Sequence, residues 1–262
     1  MKDNRRDAIH RVLTDKLTTL VYEDRAFMGE VAADMISEKI IELLGQQEFV
    51  NMIFAAAPSQ NEFLEALVQN AAIDWTRVNA FHMDEYVGLP DGDSRTFASF
   101  LKGKIFDRVP FLSVNYINGN AADAETECLR YAALLAANPA DIVCMGIGEN
   151  GHIAFNDPHV ADFNDPLAVK MVTLDMECRQ QQVNDKCFAA LDEVPLHALT
   201  LTVPALMAAR FAYCMVPGEK KARAVFDTLN GEVDEHCPAS ILRQHERAVL
   251  FLDKESAGMC KF

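Results

Sequence analysis

A chain of 262 residues, 50% of them hydrophobic and 24% charged, has enough apolar material for a substantial core and lacks the depleted, highly charged character of disorder. Its formal charge of -15 sets it against the phosphate backbone that dominates nucleic-acid affinity, so no nucleic-acid partner is expected. A small anionic ligand is still compatible with that charge, held in a local pocket of Lys, Arg and backbone N–H groups.

No repeat, low-complexity tract or linker divides the chain, which reads as a single domain over residues 1–262 with residues 1–20 as an N-terminal extension. The opening residues are charged with no apolar stretch behind them, and nowhere do about 18 uncharged apolar residues run together. Neither a signal peptide nor a membrane span is expected. The seven cysteines form no C-x-x-C pair and no regular spacing, which fits a reducing cytoplasm better than a disulfide framework or a zinc site. Homo-oligomerisation is left open.

Apolar residues recur at helical spacing over residues 23–44 (Phe27, Val31, Met35, Ile36, Ile40, Leu43, Leu44), which predicts a long amphipathic helix. The run 50–57 reads as a buried strand and 61–69 as the helix after it. Strand 78–83, helix 123–136 and strand 142–145 follow, then an irregular loop. Further strands are predicted at 168–174, 198–203, 211–216 and 248–252, with helices at 175–191 and 220–229. Such alternation implies an α/β fold, a doubly wound, mostly parallel sheet with helices on both faces. Ligands of such sheets bind beyond the carboxyl ends of the strands.

Three segments at predicted strand ends carry candidate chemistry. In Phe81-His82-Met83-Asp84-Glu85-Tyr86-Val87-Gly88-Leu89-Pro90 an apolar strand runs into two carboxylates. A partly desolvated carboxylate there has a raised pKa suited to moving protons, although an Asp-Glu pair is also an ordinary solvated turn. The second segment, residues 146–158, contains Gly146, Gly148 and Gly151 followed by His152. Its glycines match a dinucleotide fingerprint, but Asn156-Asp157-Pro158 and Asn164-Asp165-Pro166 break the helix that the fingerprint needs. The loop instead suits close backbone approach to a small ligand, with Asn150 and Asp157 placed to orient His152. The third, Val216-Pro217-Gly218-Glu219-Lys220-Lys221, joins a strand to a helix start where a lysine and N–H groups can share a phosphate, or simply stand in solvent. A serine-hydrolase elbow and a Walker loop are both missing.

Together these segments resemble the glucosamine-6-phosphate deaminase (isomerase) family, which is related to the 6-phosphogluconolactonases. Residues 81–90 are similar to its F-N-M-D-E-Y-V-G-L-P block and residues 146–158 to its G-[IV]-G-x-[DN]-G-H-I-[AG]-F-N-E-P block. Weaker similarity extends over roughly residues 20–252. The resemblance implies a Rossmann-like parallel sheet, a small-molecule sugar-phosphate substrate, and no metal or organic cofactor. It implies His152 as the proton carrier for ring opening, oriented by Asn150 and Asp157, and Asp84 as the carrier of a proton from C2 to C1. Substrate and phosphate contacts are expected from Ser59, Gly148, Glu85 and Lys221.

The chain departs from the family pattern at Asn150, often Asp, and at Asp157, often Glu. Asp157 is one methylene shorter and is expected to fall short of the imidazole without a loop shift. Ala55-Ala56-Ala57-Pro58-Ser59-Gln60 replaces a Gly/Thr-rich phosphate loop. Gln182 stands where the family has a phosphate-binding arginine, and Arg179, one helical turn earlier, is the expected substitute. Two other functions compete with the deaminase: a 6-phosphogluconolactonase-type hydrolase and a non-catalytic sugar-phosphate sensor. Asp84-Glu85 favours the deaminase over the lactonase.

Overall fold

The computed structural model describes residues 7–90 and 92–262, so most of the charged opening, residues 1–6, lies outside the described residues. Among the described residues no helix is long and apolar enough to cross a membrane. The first two strands, β1 (His10–Thr14) and β2 (Leu17–Tyr22), pair antiparallel. They correct the reading of residues 1–20 as an extension, because Leu17, Leu20 and Val21 are buried in the core. Two threonines interrupt the run 17–22 and hide its strand character, although Thr19 is fully buried.

Helix α1 (Arg25–Leu44) opens at Asp24, whose side chain accepts the Phe27 N–H at 2.9 Å. Then come β3 (Val50–Phe54), α2 (Asn61–Val68), β4 (Val78–His82), the short β5 (Asp84–Tyr86) and α3 (Phe97–Leu101), which runs into a π-turn over Lys102–Phe106. The chain continues through β6 (Ser113–Asn115), α4 (Ala124–Ala137), β7 (Ile142–Met145), β8 (Val169–Thr173) and α5 (Met176–Asn184). It ends with β9 (His197–Leu201), α6 (Val203–Met207), β10 (Phe211–Val216), α7 (Ala222–Asn230) and β11 (Ala248–Asp253).

Eight strands form one sheet in the order β1-β2-β11-β10-β7-β3-β4-β6, parallel except at the β1-β2 edge. Both faces are covered. Val50, Met52 and Phe54 pack with Ile36 and Ile40 of α1 and with Phe63 and Leu67 of α2. Ile53, Val143 and Met145 face the other way, toward Tyr131 of α4 and Val225 and Leu229 of α7. This period-2 alternation of apolar residues to both faces is what makes the central strands continuous hydrophobic runs. From β3 the chain steps outward to β4 and β6, returns to β7, then steps the other way to β10 and β11. The order therefore reverses between β3 and β7, and a crevice opens beyond their carboxyl ends.

Strands 168–174 and 198–203, predicted for the parallel sheet, form a second sheet instead. Here β8, β9 and β5 pair antiparallel in the order β5-β9-β8. The polar triplet Asp84–Tyr86 gives no strand signal, so its partners lacked a visible destination. Chain direction breaks at Met83, between β4 in the large sheet and β5 in the small one. A buried clamp holds the break. His82 Nδ1 donates to the Asp84 carbonyl at 2.9 Å, and His82 Nε2 accepts the Ile117 N–H at 2.9 Å. The Tyr131 hydroxyl accepts the His82 N–H at 3.0 Å and donates to the His82 carbonyl at 2.9 Å.

Burial pushes the His82 imidazole down from 6.5 to about 4, countered only in part by the bond to Asp84 and by Glu127. The unfolded chain therefore takes up this proton before the folded one does. Stability is lost as pH falls from 6.5 toward 4, by roughly 3 kcal/mol in full. Urea unfolding midpoints across this range should fall more steeply for the native chain than for His82→Asn. Equal slopes would exclude His82 as the titrating group.

Candidate active site

A cavity of about 140 Å³ lies beyond the strand ends at the reversal of strand order. Residues 55–59 after β3, Met83 and Asp84 after β4, Gly146, Ile147, Gly148, His152, Ala154 and Phe155 after β7, and Pro217 with Lys221 after β10 contribute to its wall. Of the residues expected from sequence, Ser59, Asp84, Gly148, His152 and Lys221 line it, Asn150 and Asp157 stand behind His152, and Glu85 and Arg179 do not line it.

Asp84 is 6% exposed, and its carboxylate takes part in no hydrogen bond or ion pair among the described residues. Burial, and then the charge of Glu85, push its carboxyl well above the usual carboxylate range. Neighbouring residues of a strand point to opposite faces, and Glu85 accordingly turns away from the cavity. Its Oε1 accepts the Tyr86 and Phe97 N–H groups at 2.9 and 3.0 Å, and its Oε2 accepts the Ala98 N–H at 2.9 Å. Glu85 caps α3 and corrects its assignment as a substrate ligand. Burial pushes its carboxyl up, and those three N–H groups pull the other way.

His152 lies flat against the backbone of Gly148. A Cβ on Gly148 would stand 2.2–2.4 Å from the imidazole atoms, so only glycine leaves the ring its seat. The Gly148 N–H is already donated to the His152 carbonyl at 2.8 Å, and the residue shapes the site without offering a donor. His152 Nδ1 lies 2.7 Å from Asn150 Oδ1 and 3.0 Å from Asp157 Oδ1. Both oxygens accept, so Nδ1 carries the proton and Nε2 is left as the lone-pair nitrogen.

Asn150 Nδ2 donates to Asp157 Oδ1 at 3.1 Å. The shorter Asp157 thus reaches the imidazole after all, and the charge that Asn150 lacks is supplied from there. Burial works to raise the Asp157 carboxyl, but the hydrogen bond and charge of His152, together with Asn150, outweigh it and hold the group below its ordinary value. Ala154, in the cavity wall, adopts a left-handed φ of 49°, backbone strain of the kind that gathers at functional sites.

The other end of the cavity is cationic and amide-rich. Lys221 is 8% exposed, and its ammonium has no hydrogen bond or ion pair among the described residues. Burial pulls its pKa down, and Asp185 and Glu149 oppose that. Ser59 Oγ, in the turn leading into α2, accepts from Gln60 Nε2 at 3.1 Å. Arg179 corrects the expectation of a relocated phosphate ligand, since its Nη2 donates to the carbonyls of Leu191 and Val194 at 2.6 and 3.0 Å. Gln182 lines the cavity in its place, with Gln181 and Asp185. Arg25 also lines the wall and escaped the sequence reading. It lies 30 residues before the loop it serves, where Nη2 donates to the Pro58 carbonyl at 3.1 Å and Nε pairs with Glu62 at 2.8 Å.

A switch-point cavity holding a desolvated carboxylate, an imidazole–carboxylate pair and a buried lysine defines an α/β enzyme built to move protons. The sequence profile described as glucosamine-6-phosphate isomerases/6-phosphogluconolactonase matches residues 23–251, and the chain belongs to that family. It is 39% identical to a glucosamine-6-phosphate deaminase of Bacillus cereus (strain B4264) over 188 residues, 72% of this chain and 70% of the relative. It is 33% identical over 244 residues to the Bacillus cytotoxicus enzyme of the same name, covering 93% and 89%. The solved structure of a monomeric glucosamine-6-phosphate deaminase superposes with a TM-score of 0.84 at 27% identity, covering 92% of this chain and 99% of that one. A 6-phosphogluconolactonase from Thermotoga maritima shares the fold, with a TM-score of 0.74 at 20% identity over 91% of this chain and 100% of the other.

Because the imidazole needs the space above Gly148, Gly148→Ala should displace the ring and lower kcat by about 100-fold or more. The thermal midpoint should shift little by comparison. Retained turnover in this variant would mean that the ring does not work from its present seat.

Proposed function

We propose that the chain is a cytoplasmic glucosamine-6-phosphate deaminase, converting glucosamine 6-phosphate and water to fructose 6-phosphate and ammonia. The observation that carries this reading is the unpartnered, desolvated Asp84 carboxylate sharing a cavity with the oriented His152. The seven cysteines are all free, as a reducing cytoplasm requires.

His152, with its free Nε2 toward the sugar, takes the proton of the C1 hydroxyl and delivers it to the ring oxygen as the C1–O5 bond breaks and the open-chain aldehyde forms. Asp157 steadies the imidazolium that forms in passing. The C2 ammonium of the substrate favours ionised Asp84 as it enters, which makes the carboxylate a base at neutral pH. Asp84 takes the proton from C2, giving an enolamine, and returns it to C1, giving the ketose imine. Water adds to the imine and ammonia leaves. Lys221, Ser59 and the start of α2 receive the phosphate.

A lactonase needs a base for water but no carrier between two carbons, so it leaves Asp84 unused. The sensor reading loses its main support, since Asp157 restores the carboxylate behind His152. Purified protein should release ammonia from glucosamine 6-phosphate, with galactosamine 6-phosphate and 6-phosphogluconolactone as the comparison substrates. Asp84→Asn should cut turnover by about 10³-fold or more while stabilising the fold at neutral pH. Ionised Asp84 is costly when its folded pKa is raised, and the amide removes that cost. The stabilisation should be full above the folded pKa, shrink as pH falls, and vanish below the unfolded value near 4. Near-normal ammonia release by Asp84→Asn would remove Asp84 as the carrier.

Lys221→Ala should raise KM about 10- to 100-fold, the loss of one charge-assisted contact. Arg179→Ala should lower the thermal midpoint with KM nearly unchanged. A KM rise in Arg179→Ala equal to that of Lys221→Ala would return the arginine to the phosphate site.

A further inference from the structure

Asp157 spends Oδ1 on His152 and Asn150. On its other side stand His159 and Asp175, neither of which lines the substrate cavity. One ligand atom from each of Asp157, His159 and Asp175 lies within 4.8 Å of the other two. His159 Nε2 sits 3.0 Å from the Thr173 carbonyl. A carbonyl only accepts, so Nε2 bears the proton and Nδ1 of the neutral ring is a bare lone pair.

That lone pair faces Asp175 Oδ2 at 3.8 Å, beyond hydrogen-bond range. Asp175 Oδ1 caps α5, accepting the Cys178 N–H at 2.6 Å, but the Oδ2 atoms of both carboxylates are reached only at long range: Asn150 Nδ2 is 3.4 Å from Asp175 Oδ2, and the Asp175 N–H is 3.5 Å from Asp157 Oδ2. The Oδ2 atoms of Asp157 and Asp175 and the Nδ1 of His159 are thus left without a short donor. A histidine whose other ring N–H is tied to a backbone carbonyl is the arrangement that metal-bound histidines adopt.

We propose that Asp157, His159 and Asp175 form an inhibitory site for a divalent transition metal, zinc foremost. One imidazole nitrogen and two carboxylate oxygens are a ligand set zinc accepts, with a fourth position left for water. Magnesium and calcium favour all-oxygen shells with more ligands, and the imidazole selects against them. The His159 side chain is 45% exposed, so the ion arrives from solvent without passing through the substrate cavity. Once bound to Asp157, it draws off the negative charge that steadies protonated His152. The effect on turnover rests on the role given to His152 above, whereas the binding does not.

A second trio shares Asp157 and competes for the same ion. His152, Asp157 and Cys178 also lie within 4.8 Å by their ligand atoms, but all three are buried. Burial, with Asp157 and Asp175 beside it, pushes the Cys178 thiol up and disfavours the thiolate a metal needs.

The test is equilibrium dialysis of the intact protein against Zn²⁺, Co²⁺ absorption spectra, and ammonia release in the presence and absence of Zn²⁺. The native chain should bind one Zn²⁺, lose turnover by about tenfold or more, and recover it with chelator. His159→Gln should keep its metal-free turnover and lose both the bound ion and the inhibition. Absence of tight binding by the native chain overturns the site. So does a thiolate-to-Co²⁺ charge-transfer band that persists in His159→Gln and disappears in Cys178→Ala, because it assigns the ion to the inner trio. Binding that depends on His159 without any change in the turnover of an active enzyme upholds the site and overturns the inhibition.

Discussion

The site depends on one break in chain direction at Met83. Were β4 to continue straight, Asp84 would remain a residue of the large sheet, and its backbone would be committed to that ladder. The His82 imidazole and the Tyr131 hydroxyl instead hold the backbone on both sides of the bend. Asp84 then becomes the first residue of the small sheet, paired opposite Thr200. The backbone N–H groups of Tyr86, Phe97 and Ala98 go to Glu85, and the Asp84 carboxylate is buried without a hydrogen bond among the described residues. Its raised proton affinity is a product of the bend and its burial, and the alternation of the strand sends Glu85 to cap α3 instead.

The second constraint is shape. An aromatic ring pressed on a glycine backbone has few alternatives, and the Asn150 and Asp157 oxygens then choose its tautomer. The pairing of Asn150 with Asp157 divides two duties that one long carboxylate would otherwise combine. Asn150 orients, since its amide donates to Asp157 and its carbonyl oxygen receives the imidazole. Asp157 carries the charge. The methylene missing from Asp157 matters little, because residues 150–157 fold back closely enough to bring its carboxylate to 3.0 Å.

The sequence made legible those features that are local. The apolar run ending at Gly146, and His152 four residues beyond Gly148, locate the crevice and its imidazole, because cause and effect lie within one loop. The central strands were legible because burial on both faces writes itself as an unbroken apolar run. The small sheet was not, since Asp84–Tyr86 is short and polar and its partner β9 comes more than 110 residues later. The directions of Glu85 and Arg179 were equally hidden. Each satisfies backbone groups that exist only once α3 and the 191–194 turn have formed. Arg25 illustrates the same limit, for its tie to Pro58 joins two segments that only the packing of α1 on α2 brings together.

Strand β2 carries a consequence for the life of the chain as it leaves the ribosome. Among the described residues its parallel partner is β11, with Thr18 opposite Val249 and Tyr22 opposite Asp253, so β2 is sealed by a strand made long after it. Until β11 has been made, β2 has its hairpin with β1, and a two-stranded hairpin alone is marginal in water. Strands β3 to β7 can assemble earlier, but the edge of β10 has no neighbour until β11 emerges. Closing contacts of such sequence separation makes folding slow. Completion of the sheet thus waits for β11, with unpaired apolar strand edges exposed until it has been made.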